Sequence, residues 1–140
     1  MSLFNVMDIS GTGMAAENVR LNATASNIAN ANSVSSSIDT TYKARHPVFA
    51  AALEQATGEQ SKGVGVKVLG IVESTRPLKM DYAPHNPLAN EEGYIFRPNV
   101  NVIEEMADMM SAAKAYETNV QVADTTKRIY RRVLQLGQSQ

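Results

Sequence analysis

Between Leu3 and Asn30 the large apolar side chains Met7, Met14, Leu21 and Ile28 recur at seven-residue intervals, with Leu3 and Ala25 on the same stripe. A seven-residue repeat keeps one seam of a helix turned towards a partner as the two wind together. The spacing therefore predicts an N-terminal helical arm over residues 1–32. "SGTG" interrupts it: Gly11 and Gly13 each cost about 1 kcal/mol relative to alanine inside a helix, so a kink or break is expected there. The stretch "LNATASNIANANS" is odd in another way, because no charged residue occurs from Leu21 to Ile38. Its non-stripe positions are Asn, Ser, Thr and Ala, and the polar ones compete with the backbone for hydrogen bonds. A helix facing water carries Lys and Glu instead.

Further along, "SVSSSIDTT" reads as a Ser/Thr-rich connector. Tyr42–Phe49 reads as extended chain, with Pro47 marking an irregular or edge strand. "EQATGEQSKG" is a polar loop, and the alternation in "VGVKVLGIV" predicts a strand at Val64–Val72 that pairs with Tyr42–Leu53 as a hairpin. Pro77, Pro84, Pro87 and Pro98 exclude a long helix in the next stretch, leaving extended chain and a short strand at Tyr94–Phe96. From Asn101 the period changes. Ile103, Met106, Met110, Ala113, Val120, Ala123, Tyr130 and Leu134 fall at helical steps, interrupted by Glu117 and Lys127. Asn101 stands three residues before Glu104, close to a capping box, and Gly137 is placed to end the helix. Glu104, Glu105 and Asp108 at the start, with Lys127, Arg128, Arg131 and Arg132 near the end, complement the helix dipole. The helix is roughly 54 Å long.

The expected fold is therefore mainly α with a small β insert: long terminal helices pairing as a coiled-coil-like α hairpin around a short β-hairpin and extended middle. Its parts are an N-terminal arm (1–32), an insert (33–100), a C-terminal helix (101–137) and a tail (138–140). A lone helix pair would leave the amide-rich back of the first arm in water. Small uncharged polar residues suit close helix contacts, since burying them carries no charge-burial cost, so the expectation is that neighbouring copies cover this back.

With 140 residues the chain is one domain, or a small domain with long arms. The absence of Trp and an aromatic share of 6% argue against a large aromatic core. A net charge of −1 argues against broad attraction to nucleic acid or anionic lipid, and no apolar run approaches a membrane span. There is no cysteine, hence neither disulfide nor thiol chemistry. No Lys or Arg precedes Arg20, so the basic region of a cleaved secretory signal is missing. Either the protein stays in the cytoplasm or it leaves by a route without such a signal.

Catalysis finds little support. His46 and His85 are the only histidines, far apart and beside prolines, a poor metal site without cysteine or a His-x-x-x-His pair. Ser26, Asp39 and His46 lack the strained turn of a nucleophile motif. "GVG" at Gly63–Gly65 lacks the rest of a phosphate loop. No cofactor is expected. The basic run Lys127–Arg132 is too short to announce nucleic-acid binding, which a strongly salt-dependent DNA affinity would revive. A free-standing coiled-coil adaptor would explain both arms, but such a protein carries charged flanking positions, and the first arm has none across Leu21–Ile38. Met106, Met109 and Met110 read as adaptable seam residues.

"LNATASNIANANS" resembles the N-terminal signature of the bacterial flagellar axial proteins of rod, hook and hook–filament junction. "AAKAYETNVQVADTTKRIYRRVLQLG" resembles their C-terminal partner segment, with Ala115-Tyr116, Asn119, Lys127, Leu134 and Gly137 in the family's places. "YKARHPVFAA", "GVKV", "YAPHNPLANEEGYIFRPNV" and "EEM" look like the proximal-rod members. The resemblance spans nearly the whole chain; Glu117 departs from it, standing where the family often has glutamine. It implies a non-enzymatic rod subunit exported unfolded through the flagellar type III apparatus by an uncleaved N-terminal region. Such subunits assemble in the periplasm with copies of themselves and other rod proteins into a torque-transmitting tube around the export channel. Another rod paralogue and the adaptor remain the alternatives. The seams and the shared motifs together assign the subunit interface. On the first arm it comprises Met14, Leu21, Asn22, Ala25, Ser26, Asn27, Ile28, Ala29 and Asn30. On the second helix it comprises Ile103, Met106, Met110, Ala113, Tyr116, Asn119, Val120, Ala123, Lys127, Tyr130 and Leu134.

Overall fold

Helix α1 runs from Leu3 to Asn30 without a break in the computed structural model, which describes residues 2–52 and 64–138. After it come β1 (Arg45–Ala52), β2 (Gly65–Glu73), β3 (Lys79–Tyr82), β4 (Tyr94–Arg97) and α2 (Val102–Gln138). β1 pairs with β2, and β3 with β4, in two separate two-stranded sheets. The mainly α chain with two long terminal helices and a small β insert agrees with the pattern of apolar positions. The "EQATGEQSKG" loop and the last two residues lie outside the described residues.

The expected break at "SGTG" is absent. Ser10 is buried with its hydroxyl donating to the Val6 carbonyl at 2.8 Å, and Thr12 donates to the Ile9 carbonyl at 2.8 Å. Gly13 is there for proximity: a Cβ on it would lie 2.8 Å from the Asn119 side-chain nitrogen. Close approach of a second helix offsets the local propensity cost. At the start of α2, Asn101 caps as the sequence suggests. Its side-chain oxygen accepts from the Ile103 N–H at 3.1 Å and its carbonyl from the Glu105 N–H at 3.0 Å. Gly137 does not end α2, which continues to Gln138. Gly93 is the only glycine with positive φ among the described residues, so Gly137 does not adopt the left-handed turn of a glycine cap. The basic residues consequently stop short of the last turn, which contains none.

The chain folds as two units. The first takes Met1–Val19, Val48–Gly70 and Ser111–Gln140; the second takes Arg20–Pro47 and Ile71–Met110. In the first unit the two helices run antiparallel, for Phe4 meets Tyr130 edge to face at 5.4 Å while Gly13 meets Asn119. β2 is tied to α1 by the Val66 N–H donating to the Thr12 hydroxyl at 3.1 Å.

In the second unit β3 and β4 pair antiparallel, with Lys79 opposite Arg97 and Tyr82 opposite Tyr94. The link between them turns on Asn90. Its side-chain oxygen accepts from the N–H groups of Glu92 and Tyr94, and Gly93 takes φ +82° against Tyr82 and Pro84. Ile95, Phe96, Pro98 and Val100 are buried behind this hairpin. β4 matches the expected Tyr94–Phe96 strand; β3 went unnoticed as a strand among the prolines.

Candidate assembly interface

The buried faces of both helices carry small and polar residues rather than the large apolar stripes. On α1 these are Ser10, Ala16, Ala23, Thr24 and Asn27; on α2 they are Glu105, Ala112 and Thr126, with Asn119 half-buried. At about 100° per residue, Gly13 and Thr24 lie roughly a quarter turn from the stripe through Met7, Met14 and Leu21, and Ala16 and Ala23 lie roughly half a turn from it. In the first unit Gly13 and Asn119 sit on this small-residue face. Small side chains let helix backbones come close, and dispersion contacts rise accordingly.

Displaced from that seam, the large side chains of α2 stand outside. Ile103 is 79% exposed, Met110 74% and Leu136 71%, and Met106, Val120, Val133 and Leu134 are exposed as well. On α1, Phe4 is 64% exposed. Leu, Ile and Met each contribute about 1.5–3 kcal/mol when fully buried. On α1 the seven-residue stripe is partly covered by its own chain: Met14, Leu21 and Ile28 are half-buried, and Met7 is exposed.

Of the interface residues named from sequence, the described structure leaves Ile103, Met106, Met110, Ala113, Val120, Lys127 and Leu134 exposed on α2. Tyr116 is exposed, Tyr130 touches Phe4, and Ala123 and Asn119 are half-buried. On α1, Asn22, Ala25, Ser26 and Ala29 are exposed, and Met14, Leu21, Ile28 and Asn30 are half-buried. Asn30 bonds back to the Ser26 carbonyl at 2.8 Å.

Asn27 must be reassigned. It is fully buried within its own chain, where its amide nitrogen donates to the Arg45 carbonyl at 2.9 Å. Its oxygen accepts from the Arg45 N–H at 2.9 Å and the Tyr42 hydroxyl at 2.8 Å. The amide side chain thus pairs with one residue of β1 as a neighbouring strand would. Burial raises the Tyr42 hydroxyl above its ordinary range, partly countered by the nearby Arg45 cation.

A second asparagine, missed in the sequence, does the same one residue earlier. Asn99 accepts from the Ala44 N–H at 2.8 Å and donates to the carbonyls of Arg76 at 2.7 Å and Ser74 at 3.3 Å. The only sequence hint was its place between Pro98 and the apolar Val100. Ion pairs complete the second unit: Arg20 to Asp108 at 2.9 Å, Arg76 to Glu104 at 2.8 Å and Arg97 to Asp81 at 3.0 Å.

Among the described residues, no group of three acidic, His or Cys side chains is placed to hold a metal ion. Nor, among the described residues, is any helix long and apolar enough to cross a membrane. The arrangement offers an apolar contact surface.

Comparison with known proteins points the same way. Residues 7–35 match the family model described as flagella basal body rod protein, and residues 91–136 match flagellar basal body rod FlgEFG protein C-terminal. The chain is 45% identical to the flagellar basal-body rod protein FlgC of Salmonella typhimurium (strain LT2) over 140 residues, covering 99% of this chain and 100% of that one. It is 44% identical to FlgC of Escherichia coli O157:H7 over the same shares. To FlgC of Aquifex aeolicus it is 37% identical, over 96% of this chain and 97% of that one.

Proposed function

The chain belongs to the family of FlgC flagellar basal-body rod proteins, structural proteins and not enzymes, and on that premise we propose that it polymerises through its terminal helices into a tubular drive shaft. The shaft transmits torque through the periplasm and surrounds the export channel. Its partners are further copies and the other rod proteins, including those that join the rod to the ring at its base. The subunit reaches them through the flagellar type III apparatus, directed by its N-terminal region. The arms 1–32 and 101–137 make the tube, and the insert 33–100 packs outside them.

One observation carries this reading. The large apolar side chains of α2 are turned away from the intrachain seam, with Ile103 and Met110 the most exposed of the row along its first half. An apolar stripe of this length invites coverage by other helices, and contacts that repeat without closing produce a filament. Met14, Leu21 and Ile28 supply a matching stripe on α1.

The test places Met110→Glu or Ile103→Glu in a flagellated strain lacking its own copy. The expected result is no rod incorporation and no motility, with the purified monomer keeping wild-type helicity. Normal rods carrying either change would overturn the reading. Deleting residues 2–20 should likewise leave the protein in the cytoplasm, and efficient export of the truncated chain would refute the proposed N-terminal signal.

A further inference from the structure

One buried carboxylate oxygen of the second unit has no hydrogen-bond partner among the described residues. Glu105, near the start of α2, carries it as Oε2 and is only 4% exposed. It lines a cavity of about 590 Å³ whose wall includes Ala44, His46, Glu73, Glu104 and Asp108. The other acids of the wall are already paired: Glu73 with Arg45 at 3.6 Å, Glu104 with Arg76 at 2.8 Å, Asp108 with Arg20 at 2.9 Å. Those three arginines, with Arg97 bound to Asp81, are all the arginines of the unit. Arg76, also on the wall, is held by Glu104 and gives Glu105 Oε2 no hydrogen bond, and a buried carboxylate without a bonded cation is costly wherever it carries its charge. A cation entering the cavity would remove that cost.

Cations in search of acids stand on α2. Lys127, Arg131 and Arg132 are exposed and form no ion pair among the described residues. The helix dipole does not account for them, since its effect fades within the last turn and α2 continues to Gln138. A guanidinium is weakly hydrated and carries five donors in a rigid fork, which suits it to a buried carboxylate.

We infer that in the assembled rod the cavity around Glu105 receives the Arg131–Arg132 stretch of a second copy of this chain. The inference rests on the polymerisation proposed above and adds a polar lock to its apolar contacts. The lock fixes which turn of α2 meets which subunit, whereas a methionine- and isoleucine-rich stripe alone tolerates slippage.

The chain has no cysteine, so a pair of engineered ones can report the contact. Thr75→Cys at the cavity wall and Gln135→Cys, one turn beyond Arg131, keep all the charges in question. Treated with a short bismaleimide in isolated rods, the double variant should give a ladder of chain multiples. Either single variant, and the dilute monomer, should give none. Glu105→Gln should lower rod yield about tenfold, equivalent to about 1.4 kcal/mol per contact. Arg131→Gln with Arg132→Gln should do the same, and all three changes together should be no worse than either set. Rods that contain the chain but yield no ladder, a ladder to a different protein, or unchanged rods with Glu105→Gln would each overturn the lock while leaving polymerisation standing. Absence of the unaltered chain from rods would overturn both.

Discussion

The two units of the molecule solve the problem of stability differently. The second buries Ile95, Phe96, Pro98 and Val100 and pins its chain with the amides of Asn27 and Asn99. The first buries mostly small residues, Ser10, Ala16, Ala112 and Thr126, and leaves Phe4, Val120 and Leu136 in contact with water. A unit held by specific hydrogen bonds and a hairpin core can persist alone. A long helix pair with a thin seam depends on what else covers it, because isolated helices draw most of their stability from packing. The difference lies in the core and not in the open stripe: the second unit has a hairpin core and still leaves Ile103, Met106 and Met110 of α2 exposed, while the first has only its thin seam.

The largest effect on the folded chain should come from the amide pegs. Asn99→Ala leaves the Ala44 N–H and the Ser74 and Arg76 carbonyls without their partner. An unmade buried hydrogen bond costs about 1–3 kcal/mol, so urea unfolding should show a loss of about 2–4 kcal/mol. Asn27→Lys should be at least as harmful, since it buries a charge where three hydrogen bonds were. A variant of either kind with a shift under about 0.5 kcal/mol, the scale of a neutral surface change, would erase the distinction between the units.

Those pegs also mark the limit of what the sequence makes legible. The helices, the β2 and β4 strands and the Asn101 cap follow from period and capping chemistry, because those rules are local. Which face of a helix meets its own partner does not. The stripe Met7, Met14, Leu21, Ile28 marks a surface that prefers to be covered, and periodicity is silent on whether the cover belongs to the same chain. The intrachain seam is written in Ser, Gly, Ala and Thr, residues whose signal is weak one at a time. Asn27 looked like part of an uncharged outer surface because an amide bonding backbone inside a fold has the same letter as one bonding a neighbour. β3 was hidden by the prolines on either side of it.

Within the first unit the two glycines of α1 separate the seam from the open flank. Gly13 faces the Asn119 side chain, while nothing lies within 4 Å of a Cβ placed on Gly11. Gly13→Leu should therefore force the helices apart and cost about 1–3 kcal/mol, as overpacking does. Gly11→Ala should raise stability by about 0.5–1 kcal/mol, the propensity difference in a helix interior. Thermal unfolding of both variants decides the matter: equal effects would mean that the seam through Gly13 is not a close contact. Amide exchange in a dilute monomer sharpens it further. Residues 3–19 should exchange faster than the strand held by Asn27 and Asn99.

The smallest effect separates the units by their charges. In the second, the Arg76 guanidinium hydrogen-bonded to Glu104 holds that carboxyl below the usual carboxylate range, and it joins positions 28 residues apart. In the first, Lys114 lowers Glu117 in the same direction but from three residues away on the same helix. A carboxyl whose pKa is depressed on folding stabilises the fold above the unfolded value, near 4.3 for glutamate, and that contribution is lost as pH falls through the folded value. Glu104 should thus steepen the acid limb of tertiary unfolding, and Glu104→Gln should flatten it, the two curves converging at the most acidic pH. Glu117→Gln should leave the tertiary transition of the second unit unmoved, because its partner stays within one helix of the other unit. Both pairs are exposed, so their contributions fade with salt. If Glu117→Gln moved the acid limb as far as Glu104→Gln, tertiary reach would have no bearing on acid stability and the contrast between the units would lose its electrostatic part.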